Sequence, residues 1–222
     1  MSLRLCLVLL CAVAFPATAQ DQPALNLAAE GQGVAGGVAR IAFAQQLYAL
    51  GLANKDALTV LNAARLAASV ALTDTPRAHE TTGDPAEVAA APALSPARMF
   101  DSAATLAAQD EGLLDLIDAS KRETAFTPVI TVVSTASTLA AAQTDVWPVS
   151  FFGGSLAEVA ILGDLSGSLD LQVTDENGNL VCKGSGASAV AYCGFYPAAN
   201  GTFIVSVSNN ASAAITYRLL TN

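Results

Sequence analysis

Two rhythms of apolar spacing divide this chain. From about Gln20 to Lys121 the apolar residues recur at helical spacing. Val38, Ile41, Leu47 and Leu50, with Phe43 and Tyr48 beside them, predict a helix over Val34–Leu50, with Gly51 as its stop. Leu58, Leu61, Leu66 and Val70 predict a second helix over Lys55–Leu72, with Asn54 as its cap. Thr73–Leu94, rich in Pro, Thr and Ala, reads as a long loop. Ser95-Pro96 opens a third helix to Gln109, with a cap residue followed by proline at the first position. Asp110 caps a fourth, which runs through Ile117 to Lys121.

After Pro128 the period falls to two. Val129–Val133, Asp145–Phe152 and Ala157–Leu162 are strand candidates. Leu169, Leu171 and Val173 alternate with Asp170, Gln172 and Thr174, the mark of one buried face. Asn177-Gly178 predicts a two-residue hairpin turn with positive φ at both positions, returning into Leu180–Cys182. Val190–Phe195 follows, then Thr202–Val207 with Phe203, Val205 and Val207 on one face, then Ile215–Leu220 with Ile215, Tyr217 and Leu219 on one face. Short strands separated by turn signals argue for an antiparallel β-sandwich. The expected fold class is therefore α+β in two domains, with an all-α helical bundle over 20–124 and a sandwich over 125–222.

The first 19 residues read as a signal peptide. Arg4 supplies the positive end, Leu5–Phe15 is an uncharged apolar run, and Ala17-Thr18-Ala19 places cleavage before Gln20. That run is about 11 residues long, whereas a membrane span needs about 20. No membrane span is expected after cleavage, and the expected location is secreted or periplasmic. Cys6 and Cys11 leave with the leader, so Cys182 and Cys193 remain as an exported pair. Such a pair most often forms a disulfide, here fastening the Gly184–Ala189 loop.

The net charge is −9, and all 19 acidic residues follow position 20. An acidic surface repels nucleic acid and anionic lipid. The chain has a single histidine, His79, in the expected loop, where exposure is the default. One histidine without ordered partners makes neither a zinc site nor a catalytic triad. Asp110/Glu111 and Asp115/Asp118 fall on a predicted helix as a solvated face. Gly31-Gln32-Gly33-Val34-Ala35-Gly36 matches the dinucleotide fingerprint in letters, but no strand precedes it, and it reads as a lead-in to the first helix. Asp164, Asp170, Asp175, Glu176 and Asn177 are an oxygen-rich cluster of the ligand type Ca²⁺ takes. Of these, Asp164, Asp170, Asp175 and Asn177 are the candidate calcium ligands. The glycine of Asp175–Asn179 comes fourth rather than sixth, so this is not an EF-hand. No other cofactor is expected.

The residues from 145 on carry a resemblance. Asp145-Val146-Trp147, Phe151-Phe152-Gly153-Gly154, the strand Ala157–Gly163, Leu169-Asp170-Leu171, Asp175-Glu176-Asn177-Gly178-Asn179, Gly201-Thr202-Phe203 and Tyr217-Arg218-Leu219 resemble the bacterial pre-peptidase C-terminal (PPC) domain. The resemblance covers about the last third of the chain. It implies a jelly-roll β-sandwich of the kind found at the ends of exported proteins, some of which bind calcium and some extracellular polymers. Here Ser166-Gly167-Ser168 stands where relatives often carry further acidic residues, which weakens the carry-over of calcium. The helical half resembles no enzyme family. The expected function is that of a non-catalytic exported module binding or stabilising an extracellular polymer or a secreted or envelope protein. The rivals are a hydrolase using carboxylates alone in an interdomain cleft, and a structural oligomerisation protein.

Overall fold

The computed structural model describes residues 23–28, 36–83, 95–124, 130–163, 168–186 and 190–222. The signal-peptide reading and Asp164 lie outside these residues, as does most of the glycine fingerprint.

Among the described residues four helices form as the period-3.6 pattern requires: α1 (Gly37–Asn54), α2 (Ala57–Ala68), α3 (Pro96–Ala107) and α4 (Glu111–Thr124). Ser95 caps α3 through the Arg98 N–H, with Pro96 at the first position. Asp110 Oδ1 accepts the Leu113 N–H at the start of α4. The cap of α2 is Asp56 rather than Asn54, and it accepts from the N–H groups of Leu58 and Thr59. Gly51 does not end α1, which runs on to Asn54 and stops at a left-handed Lys55. Gly51 is instead where α2 crosses: a Cβ there would lie 2.7 Å from Val60 Cγ2 and 2.9 Å from the Val60 nitrogen. The glycine lets two backbones approach.

Ten strands among the described residues follow or interleave: β1 (Val70–Asp74), β2 (Glu80–Thr81), β3 (Ile130–Leu139), β4 (Thr144–Phe151), β5 (Ala157–Gly163), β6 (Leu169–Thr174), β7 (Leu180–Gly186), β8 (Val190–Phe195), β9 (Gly201–Asn209) and β10 (Ile215–Thr221). They make two five-stranded sheets, ordered β1-β3-β10-β5-β8 and β2-β4-β9-β6-β7. Two of the strands lie before residue 124. The predicted second helix ends at Ala68, and Val70–Asp74 pairs in parallel with Ile130–Ser134. Within the expected loop, Glu80 and Thr81 pair with Val146 and Asp145. Both sheets therefore take an edge strand from the segment read as helix and loop.

Between the sheets lies one apolar core, which includes Trp147, Phe151, Val159, Ile161, Leu171, Val173, Phe203, Val205, Tyr217 and Leu219. These are the alternating positions that the period of two singles out. A second core joins the helices to the outer face of the first sheet. Val38, Ile41, Val60, Leu61, Met99, Phe100 and Ile117 cluster there with Val132, Ala160, Leu162, Val190 and Leu220.

Among the described strands, β6–β7 is the only hairpin within one sheet; every other consecutive pair changes sheets. Its turn departs from the expected geometry. Gly178 takes φ +82°, but Asn177 does not have positive φ. Gly178 N–H donates to Asp175 O and Asp175 N–H to Asn179 O, and the β6–β7 register shifts between Val173 and Thr174. The extra residue is taken up as a bulge, which moves the positive φ to one glycine.

Cys182 and Cys193 are bonded, with Cα atoms 6.4 Å apart. They fasten more than a loop. Cys182 lies on β7, the edge of one sheet, and Cys193 on β8, the edge of the other. The bridge therefore ties the two layers along one side. Replacing both cysteines with serine is expected to cost about 2–3 kcal/mol from loop-closure entropy. Urea unfolding of the oxidised wild type against the double variant checks this; equal midpoints would contradict it.

Candidate functional site

The loops at one end of the sandwich converge on the short segment 197–200. Gly153 N–H, after β4, donates to Asn200 Oδ1 at 2.8 Å. Gly154 N–H donates to Pro197 O at 2.8 Å. From the N-terminal segment, Asn26 Oδ1 accepts the Ala199 N–H at 2.9 Å, and Ala28 N–H donates to Tyr196 O. Asn26 also donates through Nδ2 to the Glu176 carboxylate, at 3.1 and 3.2 Å. Segment 23–28 is thereby stitched between the β6–β7 turn and the β8–β9 connection.

Asp175 organises this end. It is 1% exposed, and both carboxylate oxygens are occupied. Oδ1 accepts the N–H groups of Asn177 and Asn179, each at 2.9 Å. Oδ2 accepts the Asn26 N–H at 2.9 Å and Asn179 Nδ2 at 3.0 Å. Burial pushes the carboxyl up, but the N–H donors of Asn26, Asn179 and Asn177 outweigh it and hold Asp175 below the usual carboxylate range. A carboxylate ringed by donors is an anion site already filled by the protein itself.

The described members of the candidate calcium set each have protein partners. Asp170 faces outward on β6 and accepts Asn210 Nδ2 at 2.6 Å. Asn177 is exposed, and its Nδ2 donates to Ala24 O at 3.4 Å. Among the described residues, no three His, Cys, Asp or Glu side chains gather in a geometry that holds a metal. The acidic pairs Asp110/Glu111 and Asp115/Asp118 are exposed, as a solvated face should be.

Around these loops stand large apolar side chains that burial does not claim. Phe152 is 76% exposed, Leu180 54% and Leu25 43%. Phe152 precedes the pinned Gly153-Gly154, Leu180 follows the Asp175–Asn179 turn, and Leu25 precedes Asn26. They share one end of the molecule, with Glu176, Asn177 and Asn200 exposed among them. The sequence signal for this patch is Phe151-Phe152: a strand with period two can bury only one of two adjacent aromatics, and Phe151 is the buried one.

Two further carboxyls lie inside the fold. Glu158, on β5, is fully buried; its Oε1 accepts from Gly36 N–H, Ala39 N–H and the Tyr192 hydroxyl at 3.0, 3.2 and 3.0 Å. It thus occupies the N-terminus of α1, the place a pyrophosphate would need in the fingerprint reading. Burial, then Glu158, push the Tyr192 hydroxyl well above its ordinary range. Asp145, on β4, is also fully buried. Its Oδ2 accepts Ser137 Oγ at 2.7 Å and Tyr217 Oη at 2.6 Å, and its Oδ1 accepts Thr81 Oγ1 at 2.5 Å. Trp147 Nε1 donates to Tyr217 Oη at 2.8 Å. Burial, then the Asp145 carboxylate, push the Tyr217 hydroxyl far above the phenol range. His79 is not a free loop residue: its ring stacks on Trp147, with centroids 3.9 Å apart and planes at 17°.

No family model matches the chain, and no curated protein matches it. Solved structures do match part of it. A periplasmic inhibitor of g-type lysozyme from Aeromonas hydrophila aligns at TM-score 0.32 and 11% identity, over 41% of this chain and 84% of that one. The pre-peptidase C-terminal domain of a Bacillus anthracis collagenase aligns at 0.26 and 14%, over 41% and 76%. A de novo designed double-stranded β-helix aligns at 0.28 and 13%, over 40% and 97%. With every TM-score this low, the likeness assigns neither family nor function.

Asp175→Ala removes the acceptor of four N–H groups and is expected to cost roughly 1–3 kcal/mol. A carboxyl held low in the folded state stabilises above its unfolded value of about 3.9 and ceases to do so as pH falls through the folded value. The gap between wild type and variant in denaturant melts should be full at neutral pH and close below about pH 4. A gap independent of pH would contradict the account.

Proposed function

We propose that this chain is an exported, non-catalytic binding module whose contact surface is the loop end bearing Phe152, Leu180 and Leu25. One observation carries the reading: Phe152 is 76% exposed on a turn held by two backbone N–H donors, Gly153 to the Asn200 side chain and Gly154 to Pro197 O. An apolar side chain presented on a rigid support loses little conformational entropy on binding. Apolar groups clustered among polar neighbours are how contact surfaces are built. The fitting partner is a secreted or envelope protein with an apolar recess and a cationic rim, since Glu176 stands in the patch and the chain carries −9. Asp145 and Asp175 support a non-catalytic reading, because both oxygens of each already accept hydrogen bonds from the protein itself.

We also read the eight C-terminal strands as a jelly roll. Their orders, β3-β10-β5-β8 and β4-β9-β6-β7, support that topology. The resemblance of residues 145–222 to PPC domains is in keeping with it.

The test uses immobilised full chain and fractions of secreted and envelope proteins. A species retained by wild type should be lost with Phe152→Ser and weakened at least about tenfold with Leu180→Ser, the scale of a central contact residue. Both variants should melt within about 0.5 kcal/mol of wild type, as exposed substitutions do. Equal retention by wild type and both variants would overturn the assignment of the surface.

A further inference from the structure

The chain contains one histidine and one tryptophan, and the fold stacks one on the other. They meet at the side of the sandwich opposite the disulfide, where the connection 75–79 passes from β1 in one sheet to β2 in the other. Hydrogen bonds seat this crossing. Thr75 N–H donates to Ser134 O at 2.8 Å, Thr135 Oγ1 to Thr75 O at 2.7 Å, Arg77 Nη2 to Thr221 Oγ1 at 2.5 Å, Thr82 N–H to Thr144 O at 2.9 Å, and Thr144 N–H to Thr82 Oγ1 at 2.9 Å. His79 adds a further contact. Its Nε2 lies 3.6 Å from Asp145 Oδ1, and its side chain is 28% exposed while that of Asp145 is 0%.

A fully buried carboxylate is costly unless it is paired as well as hydrogen-bonded. The donors to Asp145, Thr81, Ser137 and Tyr217, are all neutral hydroxyls. Among the described residues, His79 is its only ion-pair partner. The surroundings leave no rival. β9 faces this place with Val207 opposite Asp145 and Val205 opposite Trp147. β3 contributes Ser137, and β10 contributes Tyr217, whose proton is donated to Asp145. On the connection itself Arg77 is turned to Thr221, and Glu80 follows His79 in β2.

We propose that His79 is a protonation-controlled clasp between the two sheets. The imidazolium pairs with Asp145 and presents a cation to the face of Trp147, seating the crossing and β2. The neutral ring keeps the stack but loses both electrostatic attractions, and residues 75–82 loosen. Imidazole is the side chain that changes charge between pH 5 and 8. The clasp therefore opens one side of the sandwich as pH rises.

The single tryptophan reports directly. A charged imidazole stacked on indole quenches its fluorescence, so emission of the folded full-length chain should rise in one transition as pH rises and the imidazolium gives up its proton. His79→Gln should remove the transition, and so should His79→Phe, which keeps a stacked ring without a charge. Loosening is read separately, as amide hydrogen exchange at Thr75 and Thr82 corrected for intrinsic rates. In wild type it should be about tenfold faster above the transition, and pH-independent in both variants. A flat wild-type emission curve, a transition that survives in His79→Gln, or exchange that ignores pH would each overturn the proposal.

Discussion

Strand β5 has no side left for water. All six residues from Ala157 to Leu162 are buried. Ala157, Val159 and Ile161 point into the space between the sheets, while Ala160 and Leu162 belong to the core beneath the helices. A strand covered on both faces needs a layer on each, and the rest of the molecule supplies them. The second sheet covers one face and the helices cover the other. The helical segment is therefore the third layer of a stack that the first sheet shares.

Glu158 sets how that layer is seated. It interrupts the apolar run on the helix side and would be costly there alone. The N-terminus of α1 supplies two N–H groups and Tyr192 a hydroxyl, all to the same oxygen. An apolar surface alone lets a helix slide and rotate. A buried carboxylate that demands those particular donors fixes where α1 begins and which residues lie over β5. Asp175 and Asp145 do comparable work elsewhere: one holds the N-terminal segment to a turn, the other joins β4, β3, β10 and β2. In each case a buried acid is a locating pin, and its position is set by donors distant in sequence.

That distance explains what could be read from the chain and what could not. The C-terminal strands were legible because period two is local: Leu169, Leu171, Val173, Phe203, Val205 and Val207 are all fully buried, or nearly so. The helices were legible for the same reason, as were the caps Ser95 and Asp110. The pairing of Cys182 with Cys193 was legible because Cys6 and Cys11 are set aside with the expected leader. β1 was hidden because Val70, Ala71 and Leu72 continue the apolar spacing of α2, and what makes them a strand is the edge of β3. Gly51 resembled a helix stop because sequence cannot distinguish a glycine that ends a helix from one that admits a neighbour. His79 looked unaccompanied because its companions, Asp145 and Trp147, belong to another strand. The unbroken run of β5 was the one overlooked local sign, since a sandwich open to solvent on its outer faces would alternate there. The acidic cluster of the β6–β7 region was legible in composition only; Asp175 and Glu176 turn to Asn26 and Asp170 to Asn210, partners distant in sequence.

The cross-sheet bridge between Cys182 and Cys193 gives the sandwich a bound spine. β7 and β8 cannot part while the sulfurs are joined, so separation of the two leaves has to pivot there. Among the described residues, the opposite margin, where β1 passes to β2, carries no such covalent tie and is held by hydrogen bonds, the His79–Trp147 stack and the ion pairs His79–Asp145 and Arg218–Asp74. The molecule is bound like a book: its breathing is a fore-edge movement, and Trp147 and Tyr217 are the first pages that water would reach.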